Sequence, residues 1–416
     1  MGGIERVVLE HLRIFSSQGA DVELLLNRPP VLMKGVIKCK YTILPDVESE
    51  RHVQLSQYLQ NYQPDLLIFH GVSHSFGKQD VRTANENCIK NVCVIHFPFM
   101  SNIALDGGEE NSWKIFLENG RQCTAFATVS EVDAHFWRAL GIKAFHVQNP
   151  FVHPSTSLQC LSHTGDSADD EVNIIWVGRI CEQKQPKAAL AAFALALKQF
   201  PHLSLMMIGG DAKSIKKLKK TAEELNIAGK VIFVPERPDI NEYWVKADIH
   251  LLTSICESFC LVWAEAKAIG VPTVMYELPY LDLAKDKRGY IAVEPKNNKA
   301  LANAIVDLAK NKEKRIAMGY DAKESLATFN DEAVWDSWMR LYDGLNEETA
   351  GGKVDEHLRI IVEQLYKALC HDKETHRWPE RMENDFKRLT KCSMKSFANL
   401  LHGIVECTAK LKRKLH

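Results

Sequence analysis

The chain has 416 residues, 46% of them hydrophobic and 25% charged, with a formal net charge of −1. That length exceeds what one hydrophobic core serves and points to two domains, while near-neutrality leaves no global attraction to nucleic acid, so any electrostatic preference must be local. The 11 cysteines lie scattered from Cys39 to Cys407 without a Cys-x-x-Cys pair or a Cys/His cluster at zinc spacing, which fits a reduced, cytoplasmic compartment. No basic n-region with an apolar core opens the chain, and the longest apolar run, Ala188 to Leu197, is too short to span a bilayer.

Met1-Gly2-Gly3 leads into Ile4, Val7, Val8, Leu12 and Phe15, an apolar stripe at helical spacing that ends before Gly19. The chain thus opens with a glycine turn into a helix. Val22 to Leu26, Ile37 to Leu44 and Leu66 to Phe69 read as strands, with a helix from Ser49 to Tyr62 stopped by Pro64. A short buried strand, Val92 to Ile95, ends in His96-Phe97-Pro98. A strand from Ala125 to Val129, a helix from Ser130 to Leu140 and a strand from Ala144 to Gln148 complete this half. Alternating strands and helices predict a mainly parallel sheet, so residues 1–154 form an α/β domain.

Residues 155–171 are polar and poor in core side chains, as in a linker. A second alternating set then begins: strands at Val172 to Val177, Leu203 to Ile208, Val231 to Val234, Ile249 to Leu252, Thr273 to Tyr276 and Tyr290 to Val293, with helices at Pro186 to Gln199 and Ser214 to Leu225. Helices over Lys299 to Leu326 close a second domain of residues 172–330. The segment 331–350 carries Val334, Trp335, Trp338, Leu341 and Tyr342 on one helical face. Two such sheets joined by a linker place a ligand in the cleft between them.

Residues 351–416 continue as a helical extension with a basic end: from Phe386 to His416 there are eight lysines and arginines against the single Glu406. Met394, Phe397, Leu400, Leu401 and Ile404 recur there at helical spacing beside the cations. Two readings stay open: a helix on the anionic inner face of a membrane near a lipid-linked acceptor, or one packed on the body or on a dimer partner.

The stretch richest in chemistry is Glu257-Ser-Phe-Cys-Leu-Val-Trp-Ala-Glu265, followed by Ala-Lys-Ala-Ile-Gly270-Val-Pro272. It reads as a loop turning into a helix from near Phe259 and stopped by Gly270 and Pro272. Unpaired N–H groups at such a helix start, with the positive dipole end, suit a phosphate. Two glutamates eight apart, with Ser-Phe-x-Leu after the first and Glu-Ala-x-Ala-x-Gly-x-Pro at the second, resemble the donor-binding signature of glycosyltransferase family 4. The resemblance covers residues 1–346 and is densest over 172–295. It implies the GT-B architecture of two Rossmann-like domains, with the helix after Asp331 crossing back to the first domain. It places Glu257 near the transferred sugar, the backbone of Phe259, Cys260 and Leu261 at its hydroxyls and phosphates, and Glu265 on the nucleotide ribose. Cys260 stands where the family has glycine, which narrows the approach to the sugar. The strand that precedes the Gly2-Gly3 turn in the family is absent, so either the recorded start lies downstream of the true one or the sheet closes differently.

Upstream, Val177-Gly178-Arg179 with Lys184 and Pro186 sits at a strand end, where two cations can neutralise a diphosphate. The resemblance assigns Arg179 and Lys184 to the donor pyrophosphate. It likewise assigns Gly209-Gly210 to a turn beside the nucleotide, Pro235-Glu236-Arg237 to the base, Gly2-Gly3 to the acceptor and donor phosphates, and a strand-end histidine, His96 or its rival His70, to the donor sugar. No Asp-x-Asp at a strand end suggests magnesium, and no cofactor or metal is expected; the leaving diphosphate would be stabilised by fixed donors. The family implies retaining transfer of a hexose from a nucleoside diphosphate sugar, UDP favoured over GDP, to a glycan or lipid-linked acceptor in cell-surface polysaccharide synthesis. A non-catalytic GT-B scaffold or partner subunit is the alternative, supported by the missing strand and Cys260.

Overall fold

A computed structural model describes residues 3–30, 37, 39–70, 78–98, 118, 120–139, 141–151, 171–237, 239–278 and 280–347. Gly2, most of the linker and the basic extension lie outside them. The described residues divide into two compact units, those up to Pro150 together with 329–347, and those within Phe151–Thr328.

In the first unit α1 (Gly3–Ser17) is followed by β1 (Glu23–Leu26), β2 (Lys40–Ile43), α2 (Glu48–Tyr62), β3 (Leu67–His70), α3 (Lys78–Glu86), β4 (Asn91–Ile95), β5 (Ala125–Thr128), α4 (Glu131–Ala139) and β6 (Ala144–His146). Every pairing is parallel, but the strands form two sheets, β1-β2 and β3-β4-β5-β6, where the sequence suggests one. β4 and β5 are buried at every residue, which is why they read as unbroken apolar runs. Helix α3 carries Lys, Gln, Asp and Arg and escapes detection by hydrophobic periodicity. It is held by its buried Val81 and Ala84 and by the buried pair Arg51 Nε–Asp80 Oδ1 at 2.9 Å, with Arg51 Nη2 donating to Asp80 Oδ2 at 3.1 Å.

The second unit runs β7 (Val172–Val177), α5 (Pro186–Leu197), β8 (Leu203–Ile208), α6 (Ala212–Glu224), β9 (Val231–Val234), α7 (Asn241–Trp244), β10 (Ile249–Leu252), α8 (Leu261–Ile269), β11 (Thr273–Tyr276), β12 (Tyr290–Val293), α9 (Asn298–Lys310) and α10 (Lys312–Glu324). The helices expected over Lys299 to Leu326 meet at Asn311, whose side chain accepts from Lys314 N and starts α10 afresh. The six strands lie in the order β12-β11-β10-β7-β8-β9, all parallel. One sheet face packs Trp176, Leu205 and Val274 against α5 and α9, and the other packs Ile175, Ile208 and Val234 against α7 and α8. Numbered within the unit the order is 3-2-1-4-5-6, the doubly wound topology, whose ligands bind where the order reverses, between β7 and β10.

The last described helix, α11 (Asp331–Gly344), belongs to the first unit. Its Trp338 Nε1 donates to His11 Nε2 at 3.2 Å, Phe15 packs edge-on to Trp335 and Trp338, and Arg13 forms two 2.8 Å bonds to Asp331. Gln148 N donates to Ser337 Oγ at 3.0 Å, tying the end of β6 to the same helix.

Candidate functional site

At the switch point β7 runs out into Gly178-Arg179 and β10 into Thr253-Ser254. Hydrogen bonds join the two strand ends and their loops. Trp176 Nε1 donates to Thr253 Oγ1 at 3.0 Å, and that hydroxyl donates to Lys184 O at 2.7 Å. Ile255 N donates to Gln183 O at 3.0 Å, and Gln183 Nε2 to Cys256 O at 2.9 Å. The result places Lys184 Nζ 2.5 Å from Glu257 Oε1, with the two side chains 13% and 8% exposed. Burial works against the charge on Lys184, but the neighbouring Glu257 outweighs it and the lysine pKa is raised. Tyr280 Oη accepts from Glu257 N at 3.0 Å and so fixes the backbone from the loop after β11. Arg179 stays exposed, with Nη2 3.4 Å from Gln183 Oε1.

The turns after β7, β8 and β9 are stitched in series: Gly178 N donates to Ile208 O, Gly209 N to Val234 O and Glu236 N to Gly210 O, at 3.0, 2.9 and 3.2 Å. Gly209 has φ +128°, and a Cβ there would lie 2.0 Å from Gly178 O. The glycine is therefore required by packing within the unit. Gly209→Ala is expected to destabilise the second unit by well over about 1 kcal/mol, whereas Gly229→Ala, with nothing within 4 Å, should change little; urea midpoints of the two variants check this. Pro235 is exposed beside the turn, and Arg237 bonds Glu242 Oε1 at 3.3 Å and lies 5.2 Å over the Tyr243 ring.

Helix α8 begins at Leu261, later than its sequence suggests, because Cys260 adopts φ 73°, ψ 73° as the N-cap. The first helical bonds run from Trp263 N and Ala264 N to Cys260 O, at 2.9 and 3.1 Å. Cys260 thus keeps a left-handed backbone that a glycine adopts freely, at a cost on the order of 1–2 kcal/mol. Its thiol is buried, and burial together with Glu257 drives its pKa far above the ordinary range, so it is no nucleophile at neutral pH. Phe259 turns inward, 6.4 Å from the Phe151 ring, leaving only its backbone available to a ligand. Glu265 is buried in the second turn of α8.

In the first unit His70, the last residue of β3, and His96, just past β4, are partners rather than rivals: His70 Nδ1 lies 3.0 Å from His96 Nε2 with the rings stacked. The His11 ring lies 5.5 Å from His70. Burial lowers the pKa of His11 to about 3 and of His96 to about 4, and that of His70 well below its usual value, with neighbouring histidines adding to the effect at His11 and His70. All three are neutral at pH 7. Gly3 is the first residue of α1. Among the described residues no group of three or more His, Cys, Asp or Glu side chains could hold a metal ion, and no helix is long and apolar enough to cross a membrane.

The profile of the family described as glycosyl transferases group 1 matches residues 163–325, the stretch that contains every element of this second-unit site. The chain carries a group 1 glycosyltransferase domain. A D-inositol 3-phosphate glycosyltransferase of Corynebacterium urealyticum is 29% identical over 192 residues, 44% of this chain and 45% of that protein, so the match spans about half the length of that relative. An uncharacterized glycosyltransferase of Haemophilus influenzae is 22% identical over 82% of this chain and 96% of its own length. The structure of Anabaena Alr3699/HepE in complex with UDP and glucose aligns with a TM-score of 0.66 at 14% identity, over 82% of this chain and 96% of that one. The fold is GT-B, two Rossmann-like units.

Three residues of the glycosyltransferase domain's site carry no sequence signal: Thr253, Gln183 and Tyr280. Each acts through a hydrogen bond to a backbone group of another loop. Gln183 and its partner Cys256 lie 73 residues apart.

Proposed function

We propose that the chain transfers a sugar, with retention, from a nucleoside diphosphate sugar to a glycan or lipid-linked acceptor in surface polysaccharide synthesis. The observation that carries this reading is the buried Lys184–Glu257 pair at the switch point, set between an exposed Arg179 and the N-terminus of α8. In this reading Arg179, Lys184 and the backbone N–H groups of the first turn of α8 converge on the diphosphate. Such donors stabilise the negative charge that develops on the leaving group, and because the protein already holds them in place, little reorganisation is needed at reaction. A pyrophosphate gives Lys184 a second anion, so Glu257 is released toward the sugar. Glu265 takes the ribose, and the turn at Gly209, Gly210 and Pro235 lies beside the nucleotide. His96, held by His70, is a neutral donor–acceptor for a sugar hydroxyl. The UDP and glucose of the Anabaena complex support a uridine donor here.

Thermal unfolding with UDP, GDP, ADP and their sugar conjugates, in EDTA, tests the reading. At roughly 100 times its dissociation constant a ligand stabilises by about 2.7 kcal/mol, so UDP should shift the midpoint. Glu265→Ala should lose that shift, while Glu257→Ala should keep it and lose turnover. No shift with any nucleotide would favour a non-catalytic scaffold.

A further inference from the structure

Helix α6 holds five lysines in 13 residues, Lys213, Lys216, Lys217, Lys219 and Lys220, all exposed, in a chain whose net charge is −1. At about 100° per residue, Lys213, Lys216, Lys217 and Lys220 fall within one narrow stripe, opposite the buried Ile215, Leu218 and Ala222. No acidic residue occurs between Ala212 and Ala222. Lys220 alone of the five has an ion pair among the described residues, a loose 3.8 Å contact with Glu224 in which both side chains are largely exposed. The pairs Lys213/Lys217 and Lys216/Lys220 repel at i,i+4 and weaken the helix. The helix is held by its buried face and by its Asp211 cap, which accepts from Ser214 N at 2.7 Å.

We propose that this stripe docks the glycosyltransferase domain on a bilayer bearing anionic phospholipid headgroups. The residue chemistry selects that partner. Lysine is a hydrated point charge on a flexible stem, suited to a diffuse field of phosphates; nucleic-acid surfaces add arginine forks and aromatic stacking to such charge, and the stripe has neither. The apolar face of α6 is committed to the protein core, so the helix cannot insert. Binding is therefore electrostatic only, and salt screens it.

The test uses the full chain in co-sedimentation with phosphatidylcholine vesicles and with vesicles containing phosphatidylglycerol, at low and high salt, alongside titration with soluble polyphosphate. The stripe variant carries Lys213→Gln, Lys216→Gln, Lys217→Gln and Lys220→Gln. A control of equal charge change carries Lys187→Gln, Lys198→Gln, Lys246→Gln and Lys310→Gln, all exposed elsewhere in the unit. The wild type should bind anionic but not neutral vesicles and be released by salt. Each lysine near an anionic surface accounts for about fivefold in binding, so the stripe variant should bind at least tenfold more weakly than the control at an unchanged unfolding midpoint. Failure of the wild type to bind anionic vesicles overturns the proposal, as does equal binding by the two variants. Loss of polyphosphate binding with vesicle binding intact would also overturn it, in favour of a soluble polyanion. None of these outcomes depends on sugar transfer, so the docking surface and the activity fail or stand separately.

Discussion

Lys184→Met is expected to destabilise the second unit by about 3–5 kcal/mol at pH 7, because it leaves the Glu257 carboxylate buried without its counter-charge. The pair qualifies for that range because both side chains are almost wholly enclosed and the contact is 2.5 Å. The double variant Lys184→Met/Glu257→Leu should recover most of the loss, since two apolar side chains of similar volume strand no charge. Its response to UDP should nevertheless stay absent. Urea unfolding of the three proteins, with and without UDP, separates the two effects. A single variant as stable as wild type would show that the pair is relaxed and solvated, and the electrostatic account of the site would fall with it.

Acid should unfold the first unit well before ordinary carboxylate titration would. Free imidazole titrates near 6.5, whereas burial holds His11 at about 3, His96 at about 4 and His70 well below the ordinary value. Above pH 6.5 neither state carries these protons and the unit keeps its full stability. As the pH falls from 6.5 toward 4 the unfolded chain takes up protons that the folded one refuses. Each histidine then removes about 1.4 kcal/mol per pH unit, and three together about 4. His250, buried in β10 with a pKa of about 3, acts likewise in the second unit. The urea midpoint followed by tryptophan fluorescence should drop steeply between pH 6.5 and 5, and His70→Leu should flatten the slope by about one proton. Equal midpoints at both pH values would mean that the imidazoles reach water in the folded state.

Much of this architecture was legible along the chain. The strands of the second unit were readable to the residue at Ile249–Leu252 and Thr273–Tyr276, because a parallel strand buried at every residue reads as a largely apolar run. The two glutamates stood out through the resemblance of their motif rather than through local geometry, since Glu257 precedes α8 and Glu265 lies inside it. Helix α3 was not, since its buried apolar side chains Val81 and Ala84 are too few to make a readable stripe and a buried ion pair completes its packing. Nor could residue order reveal that His70 and His96 touch, that Lys184 meets Glu257 across 73 positions, or that Tyr280 holds the Glu257 backbone from 23 positions away. Local pattern records how each segment buries itself. Which loops meet at the sheet's edge follows from strand order, and strand order is set by long-range pairing that no local stretch encodes.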